Sequence, residues 1–368
     1  MTNILRCLAR IDRENEYFLF VSPANQHMYR VEQENFHQVI CWASNERRNL
    51  RIATQQLQSP ALVRKYGIEV FNSPGNTAPL LLPCPSVLTI KTMHHYHLPE
   101  TLGWQRALFR RTMVYASAKR ATFIIANSQS NRDDIVHFLG ISPDKVALVH
   151  EAVDRECFRA DLPEQDVEAR LEKRGVRRPY LLNVSSIWPY KNQLKLVRAY
   201  ARLVEEQRIP HELVLAGASD QPAYAAQVRA AVSELGLKDR VRFLDYVPHA
   251  ELAYFYRGAD AFVYPSSFET FGLTLLEAMA CGVPIVCANR GSLPEIAADA
   301  ALIINPESDE EIAAAMWRIL SEEGLRNSLV ERGFRRVSDF SWEKTAAETL
   351  SVFLRAGAAH KNGFRGVN

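Results

Sequence analysis

The sequence predicts an α/β protein of two doubly wound, Rossmann-like domains facing a cleft, the first lacking its initial strand. Short apolar runs of four or five residues alternate with helical patterns along most of the chain, and that alternation builds parallel sheets. At 368 residues the chain exceeds one ordinary core and suits two. The first half opens on a helical pattern, whereas a doubly wound domain opens on a strand that ends up in the middle of its sheet.

Taken in order, Asn3 to Ile11 reads as a helix and Tyr17-Phe-Leu-Phe-Val21 as the first strand. A missing central strand would leave two neighbours with unpaired edges inside the domain. The expectation is therefore a truncated or misassigned N-terminus, with an apolar strand and a Gly-rich turn encoded upstream of Met1. Further strands are expected near Val39–Trp42, Glu69–Asn72, Ser86–Lys91, Phe123–Ala126 and Val146–His150, with helices at about 48–66, 102–120 and 130–138 between them. The charged stretch Asp161 to Arg178 reads as a mostly helical linker region. The first domain is thus set at 1–165 and the second at 166–341.

The second domain is the more regular. Its strands fall at Tyr180–Val184, Glu212–Ala216, Arg242–Leu244, Ala261–Tyr264, Pro284–Cys287 and Ala301–Ile304. A closing helix is expected from Trp342 to Arg355, and the tail 357–368 has too little to bury to stay ordered.

One stretch organises this half. Phe262-Val-Tyr-Pro-Ser-Ser-Phe-Glu269 leaves the sheet, and a helix from about Phe271 to Ala280 follows, stopped by Gly282. N–H groups near Phe271, Gly272 and Leu273 form the positive end of a helix dipole, and Gly272 lets a phosphate approach the backbone. From the helix start to Glu277 the rise is about 9 Å. A retaining hydrolase pair sits about 5–5.5 Å apart, so Glu269 and Glu277 suit the two sides of one elongated ligand, a nucleotide-sugar in outline. The competing interpretation is an acidic loop residue at a helix N-terminus plus an unrelated helical glutamate.

Composition narrows the classes. Apolar content of 47% with 23% charged residues is that of a globular protein. A net charge of +2 lacks the strong basic excess of a nucleic-acid binder. Six scattered cysteines without a C-x-x-C pair read as reduced thiols of a cytoplasmic protein. There is no signal-peptide pattern, and no apolar run approaches a membrane span.

The stretch Phe268-Glu269-Thr-Phe-Gly-Leu-Thr-Leu-Leu-Glu277-Ala-Met-Ala-Cys-Gly282 resembles the signature of family 4 glycosyltransferases, retaining nucleotide-sugar enzymes of the GT-B fold. Tyr190-Lys191-Asn192, Leu215-Ala216-Gly217, Gly291-Ser-Leu-Pro-Glu295 and Phe340-Ser-Trp342-Glu match in the same order, so the likeness runs from about residue 17 to 356. The resemblance implies hexosyl transfer, mannosyl or glucosyl foremost, from a nucleoside-diphosphate sugar to a saccharide or lipid-linked acceptor, as in cell-surface polysaccharide synthesis. No metal or other cofactor is expected. It further implies that Glu277 holds the ribose, Glu269 contacts the donor sugar, and Lys191 neutralises the diphosphate. Ser185, Ser186, Thr270, Phe271, Gly272 and Leu273 complete the donor-site set. Family members often place Gly-Arg where this chain has Ser185-Ser186, which removes one phosphate-binding charge and leaves two hydroxyls. The resemblance also implies that the donor binds to the second domain and the acceptor to the first, with helix 342–356 crossing back to the first.

Two regions of the first half stand out. The loop Lys91-Thr-Met-His94-His95-Tyr-His97 follows a strand whose C-terminal end faces the expected ligand crevice. Its spacing lacks the helical i, i+4 pattern of a zinc protease and a cysteine partner. In the family a His-Asp pair follows this strand near the donor sugar; here Lys91-Thr92 holds that register, which leaves His94, His95 or Lys91 to serve there. The helix around 104–120 carries five basic residues and no acid, consistent either with a peripheral contact to the inner face of a membrane or with a merely basic outer face. Two rival functions share such a cleft. A sugar-nucleotide 2-epimerase of the same fold would need no external acceptor, and a non-catalytic nucleotide-sugar-binding protein would bind without turnover.

Overall fold

The computed structural model describes residues 2–41 and 48–364 and separates into two compact units. One comprises Met1–Glu151 with Ser341–Asn368, the other Ala152–Phe340. The division thus precedes the expected boundary at 165/166. The cause lies in the helix Glu164–Lys173, read from sequence as linker. Its Val167 and Leu171, four apart on one face, are buried, and the helix packs on the helix His249–Gly258.

The second unit holds six parallel strands: β7 (Tyr180–Val184), β8 (Glu212–Ala216), β9 (Val241–Asp245), β10 (Ala261–Tyr264), β11 (Ile285–Ala288) and β12 (Ala301–Ile304), after six in the first unit. Their spatial order is β12-β11-β10-β7-β8-β9, so the unit's first strand lies at the centre. All five residues of β7 are buried, as a strand flanked on both edges and covered on both faces requires.

The first unit shows the interruption that its helix-first order implies. Its strands are β1 (Tyr17–Val21), β2 (Phe36–Ile40), β3 (Phe71–Ser73), β4 (Ser86–Ile90), β5 (Phe123–Ala126) and β6 (Val146–Leu148). They form a pair, β1-β2, and a separate four-stranded sheet, β3-β4-β5-β6, all parallel. Period-two alternation sorts the larger sheet's side chains. Leu88, Ile90, Ile124 and Ala126 meet the helices Trp104–Arg120 and Gln129–Leu139 on one face. Val87 and Ile125 meet Val352 and Ala356 of the C-terminal helix on the other.

That closing helix runs Trp342–Phe364, beyond the expected stop at Arg355. Ala356 is buried, and Ala358 and Ala359 are strong helix formers, so the tail continues the helix through Phe364. Strand β2 lies three residues earlier than the expected Val39–Trp42, and Trp42 falls outside the described residues.

Candidate functional site

The C-terminal ends of β7, β10 and β11 share one edge of the second unit's sheet because the strands are parallel. Three loops leave that edge. After β7 the chain passes a 3₁₀ turn, Pro189–Lys191, and enters the helix Gln193–Gln207 through Asn192 at φ +59°. Asparagine tolerates this left-handed geometry through local hydrogen bonding. Its Nδ2 donates to Pro265 O at 2.9 Å and Ser267 Oγ at 2.7 Å, tying this loop to the one after β10. Ser267 N returns a bond to Tyr190 O at 2.7 Å.

This lacing brings Lys191 and Glu269 together as a direct ion pair. Tyr264, the last residue of β10, completes the cluster: Lys191 Nζ donates to its hydroxyl at 2.9 Å, and that hydroxyl donates to Glu269 Oε1 at 2.6 Å. The two charged side chains are only 13% and 15% exposed, so the pair is poorly screened by solvent. Burial, with the Glu269 charge beside it, holds the Tyr264 phenol well above its ordinary range, keeping it a donor. The resemblance assigns Lys191 to the diphosphate and Glu269 to the adjoining donor sugar, and in this structure the two pair with each other.

Glu277 occupies a second position, in the helix Leu273–Ala280, and is buried. Tyr256 donates to its Oε2 at 3.0 Å, while His249 Nε2 lies 3.4 Å from Oε1. The hydrogen bond to Glu277 raises the affinity of His249 for its proton above the ordinary value, with partial burial opposing. Each carboxylate oxygen keeps further acceptor capacity for an outside hydroxyl.

The helix begins at Leu273, not Phe271, so the helical rise to Glu277 is about 6 Å rather than 9. Gly272 stands before it at φ +86° with no side-chain cap. Phe271 is buried with its ring near Phe340 at 6.1 Å between centroids, which leaves only its backbone for a ligand; Thr270 is half-buried. The third loop, after β11, buttresses Glu269: Ser292 N and Oγ donate to Glu269 O at 3.1 and 3.2 Å.

Of the two serines, Ser185 departs from expectation. Ser185 Oγ donates to Asn183 Oδ1 at 3.0 Å and accepts from Gln193 Nε2 at 2.9 Å. Its hydroxyl hydrogen is thus spent inward rather than offered to phosphate. Gln193 also donates to Ser186 O at 3.0 Å, fixing the backbone of that loop.

In the first unit the histidine loop forms a short helix, His94–His97. His95 is 1% exposed, and burial, with Arg110 and Arg111 nearby, lowers its pKa to about 4. It is therefore a neutral histidine of the interior near pH 7, its carbonyl accepting from Arg111 Nε at 3.1 Å. His94 is half-buried, with Nε2 3.4 Å from Thr101 Oγ1. Lys91 pairs with Glu151 at 2.7 Å. Among the described residues no group of three or more His, Cys, Asp or Glu side chains is arranged to hold a metal.

Tyr264, Tyr256, His249 and Ser292, which hold the two acids, and Asn192, which ties their loops together, were not assigned to the site from the sequence. The available signal was position: Tyr264, Asn192 and Ser292 follow or end strands at the ligand edge of a parallel sheet.

Residues 166–336 match the family model described as glycosyl transferases group 1, and residues 1–156 that of glycosyltransferase family 4. The chain is 30% identical over 295 residues to the O-antigen chain mannosyltransferase B of Escherichia coli, taking in 79% of this chain and 75% of that protein. It is 34% identical over 275 residues to the D-inositol 3-phosphate glycosyltransferase of Kineococcus radiotolerans, covering 70% of this chain but 61% of that one. Among solved structures, Anabaena Alr3699/HepE in complex with UDP-glucose superposes with a TM-score of 0.73 at 20% identity, covering 95% of both chains. The sucrose-phosphate synthase of Thermosynechococcus elongatus gives 0.73 at 21% identity, covering 97% of this chain and 92% of that one.

Proposed function

The chain belongs to the group 1 glycosyltransferases of family 4 and has their GT-B fold, and on that premise we propose that it moves a hexosyl group, mannosyl foremost, from a nucleoside-diphosphate sugar to a saccharide or lipid-linked saccharide acceptor, with retention and without a metal. The observation that carries this is the Lys191–Tyr264–Glu269 cluster beside an uncapped helix start at Gly272. A diphosphate at that helix end would meet backbone N–H groups and a lysine already held in place.

In this mechanism Glu277, clamped by Tyr256 and His249, accepts the ribose hydroxyls. Glu269 turns toward the donor sugar, and as it does so Lys191 exchanges one anion for another. Lys191 and the helix N-terminus then stabilise the charge that develops on the departing diphosphate, which is the step such electrostatic preorganisation accelerates. The choice of mannosyl over glucosyl leans on the Escherichia coli relative; the HepE structure, solved with UDP-glucose, is the reason to test both donors.

A membrane-side acceptor fits the helix Trp104–Arg120, which exposes Trp104, Leu108, Phe109 and Tyr115. Arg111, Lys119 and Arg120 keep their charge but are tethered to carbonyls of His95, Gly140 and Leu80, so we assign the insertion to the aromatic and aliphatic side chains. Among the described residues no helix is long and apolar enough to cross a membrane.

The test is a thermal-shift panel of GDP- and UDP-sugars, followed by product analysis with a saccharide acceptor. A glycoside carrying the donor's anomeric configuration is the expected product. A 2-epimerised donor without acceptor, or binding without turnover, would overturn the proposal.

A further inference from the structure

On the reading above, the Lys191–Glu269 pair opens when the donor arrives, and Lys191 must then meet the diphosphate with its carboxylate gone. A lysine released from its partner is a strongly hydrated charge on a flexible four-carbon stem, and it swings toward water. Two aromatic rings oppose that. Lys191 Nζ lies over the ring of Tyr190, 5.1 Å from its centroid, and over the ring of Tyr264, 5.3 Å from its centroid. Resting on that reading of the pair, we infer that Tyr190 and Tyr264 are positioning residues whose ring faces hold the Lys191 ammonium in place while Glu269 moves to the sugar.

Both distances fall within the roughly 6 Å over which a ring face attracts a cation. Each ring is also fixed by contacts that do not involve Glu269. Tyr264 is 3% exposed, and its ring stacks on that of Phe262, two residues back on the same face of β10, with centroids 5.5 Å apart. Tyr190 is held through its backbone, where its carbonyl accepts from Ser267 N at 2.7 Å and Ser266 Oγ at 3.4 Å. Its ring lies 5.9 Å from that of Trp188. The Tyr264 hydroxyl bridges lysine and carboxylate, so that bridge is broken when Glu269 leaves, whereas the ring faces stay where they are.

A ring and a carboxylate also differ in what they leave for the ligand. Glu269 cancels the charge of Lys191. A neutral ring attracts the ammonium through its quadrupole and leaves the positive charge whole for the departing diphosphate. That attraction grows as water is removed, and the Lys191 side chain is only 13% exposed.

The experiment uses the full chain with Tyr190 replaced by phenylalanine and by phenylalanines carrying one, two and three ring fluorines. Fluorine withdraws charge from the ring face with little change in size. Dissociation constants for GDP and UDP are read by calorimetry, beside kcat for transfer. Tyr190→Phe should behave like the parent, and affinity and kcat should then fall stepwise, by about fivefold in all at three fluorines. In a Lys191→Met background the same series should leave affinity flat, because no cation remains to couple to the ring. A second readout needs no ligand. In Glu269→Gln the ε-methylene protons of Lys191 should keep the upfield NMR shift that overlying rings impose, and adding Tyr190→Leu should move them downfield. The inference is overturned if the fluorine series is flat with Lys191 present, as packing alone requires, or if Glu269→Gln by itself sends the Lys191 protons to the position of a free lysine. A parent that binds neither nucleotide but keeps the upfield shift in Glu269→Gln would remove the transfer reading and leave the hold of the rings on Lys191 standing.

Discussion

Glu277 and Glu269 are both acids at one sheet edge, but their partners give them different freedom. Glu277 is buried between Tyr256 and His249, whereas Glu269 sits in an ion pair that a competing anion can open. His249 makes the first of these testable by pH. Its proton affinity is raised above the ordinary 6.5, chiefly by the bond to Glu277. A raised histidine contributes stability that is fully present below the unfolded value and lost as pH rises through the folded one. The melting temperature of the parent should therefore exceed that of His249→Gln most below pH 6.5, and the gap should narrow as pH rises above it. A gap independent of pH would mean that His249 acts through packing against Phe158 alone, 4.9 Å away between ring centroids. Sequence reading reached the two acids and Lys191 but not this lining, because a bond such as Lys191 to Tyr264 joins positions 73 apart and leaves no local period to detect.

At the scale of elements, the loop after β11 acts as a wall behind Glu269. Gly291 adopts φ +55°, and a Cβ there would lie 2.3 Å from Glu269 O. Gly291→Ala should thus push the Glu269 loop outward, lowering transfer at least tenfold with a melting loss of a few degrees, of the order expected for a strained left-handed residue. Unchanged rates in initial-velocity assays would show that the wall does not set the position of Glu269. The helix Trp104–Arg120 carries a second expectation. Trp104, 74% exposed, and Leu108, one turn on, should anchor it to liposomes containing anionic lipid, so the double change Trp104→Ser with Leu108→Ser should weaken sedimentation severalfold at both low and high salt. A loss confined to low salt, reproduced by Arg106→Gln, would return the contact to charge. This helix was legible as basic from its composition alone. That three of its cations are tethered to carbonyls elsewhere was not, since those carbonyls belong to other segments of the chain.

For the whole molecule, the alternation of apolar runs and helical patterns was enough to place twelve strands, and the helix-first opening was enough to foresee the interrupted sheet. A charged surface helix and a linker share a composition, and for Glu164–Lys173 only the burial of Val167 and Leu171 separates them. The central claim is that the second unit grips the nucleotide at Glu277 and the sugar at Glu269. Calorimetric titration of GDP and UDP into the parent, Glu277→Gln and Glu269→Gln, beside initial transfer rates, tests it most directly. Glu277→Gln loses charge-assisted hydrogen bonds of about 1.5–3 kcal/mol each, so its diphosphate affinity should fall about ten- to a hundredfold. Glu269→Gln should keep that affinity or gain, because Lys191 loses its competing partner, while its transfer rate collapses. A Glu269→Gln enzyme that loses diphosphate affinity as badly as Glu277→Gln, or a parent that binds neither nucleotide, would contradict the account.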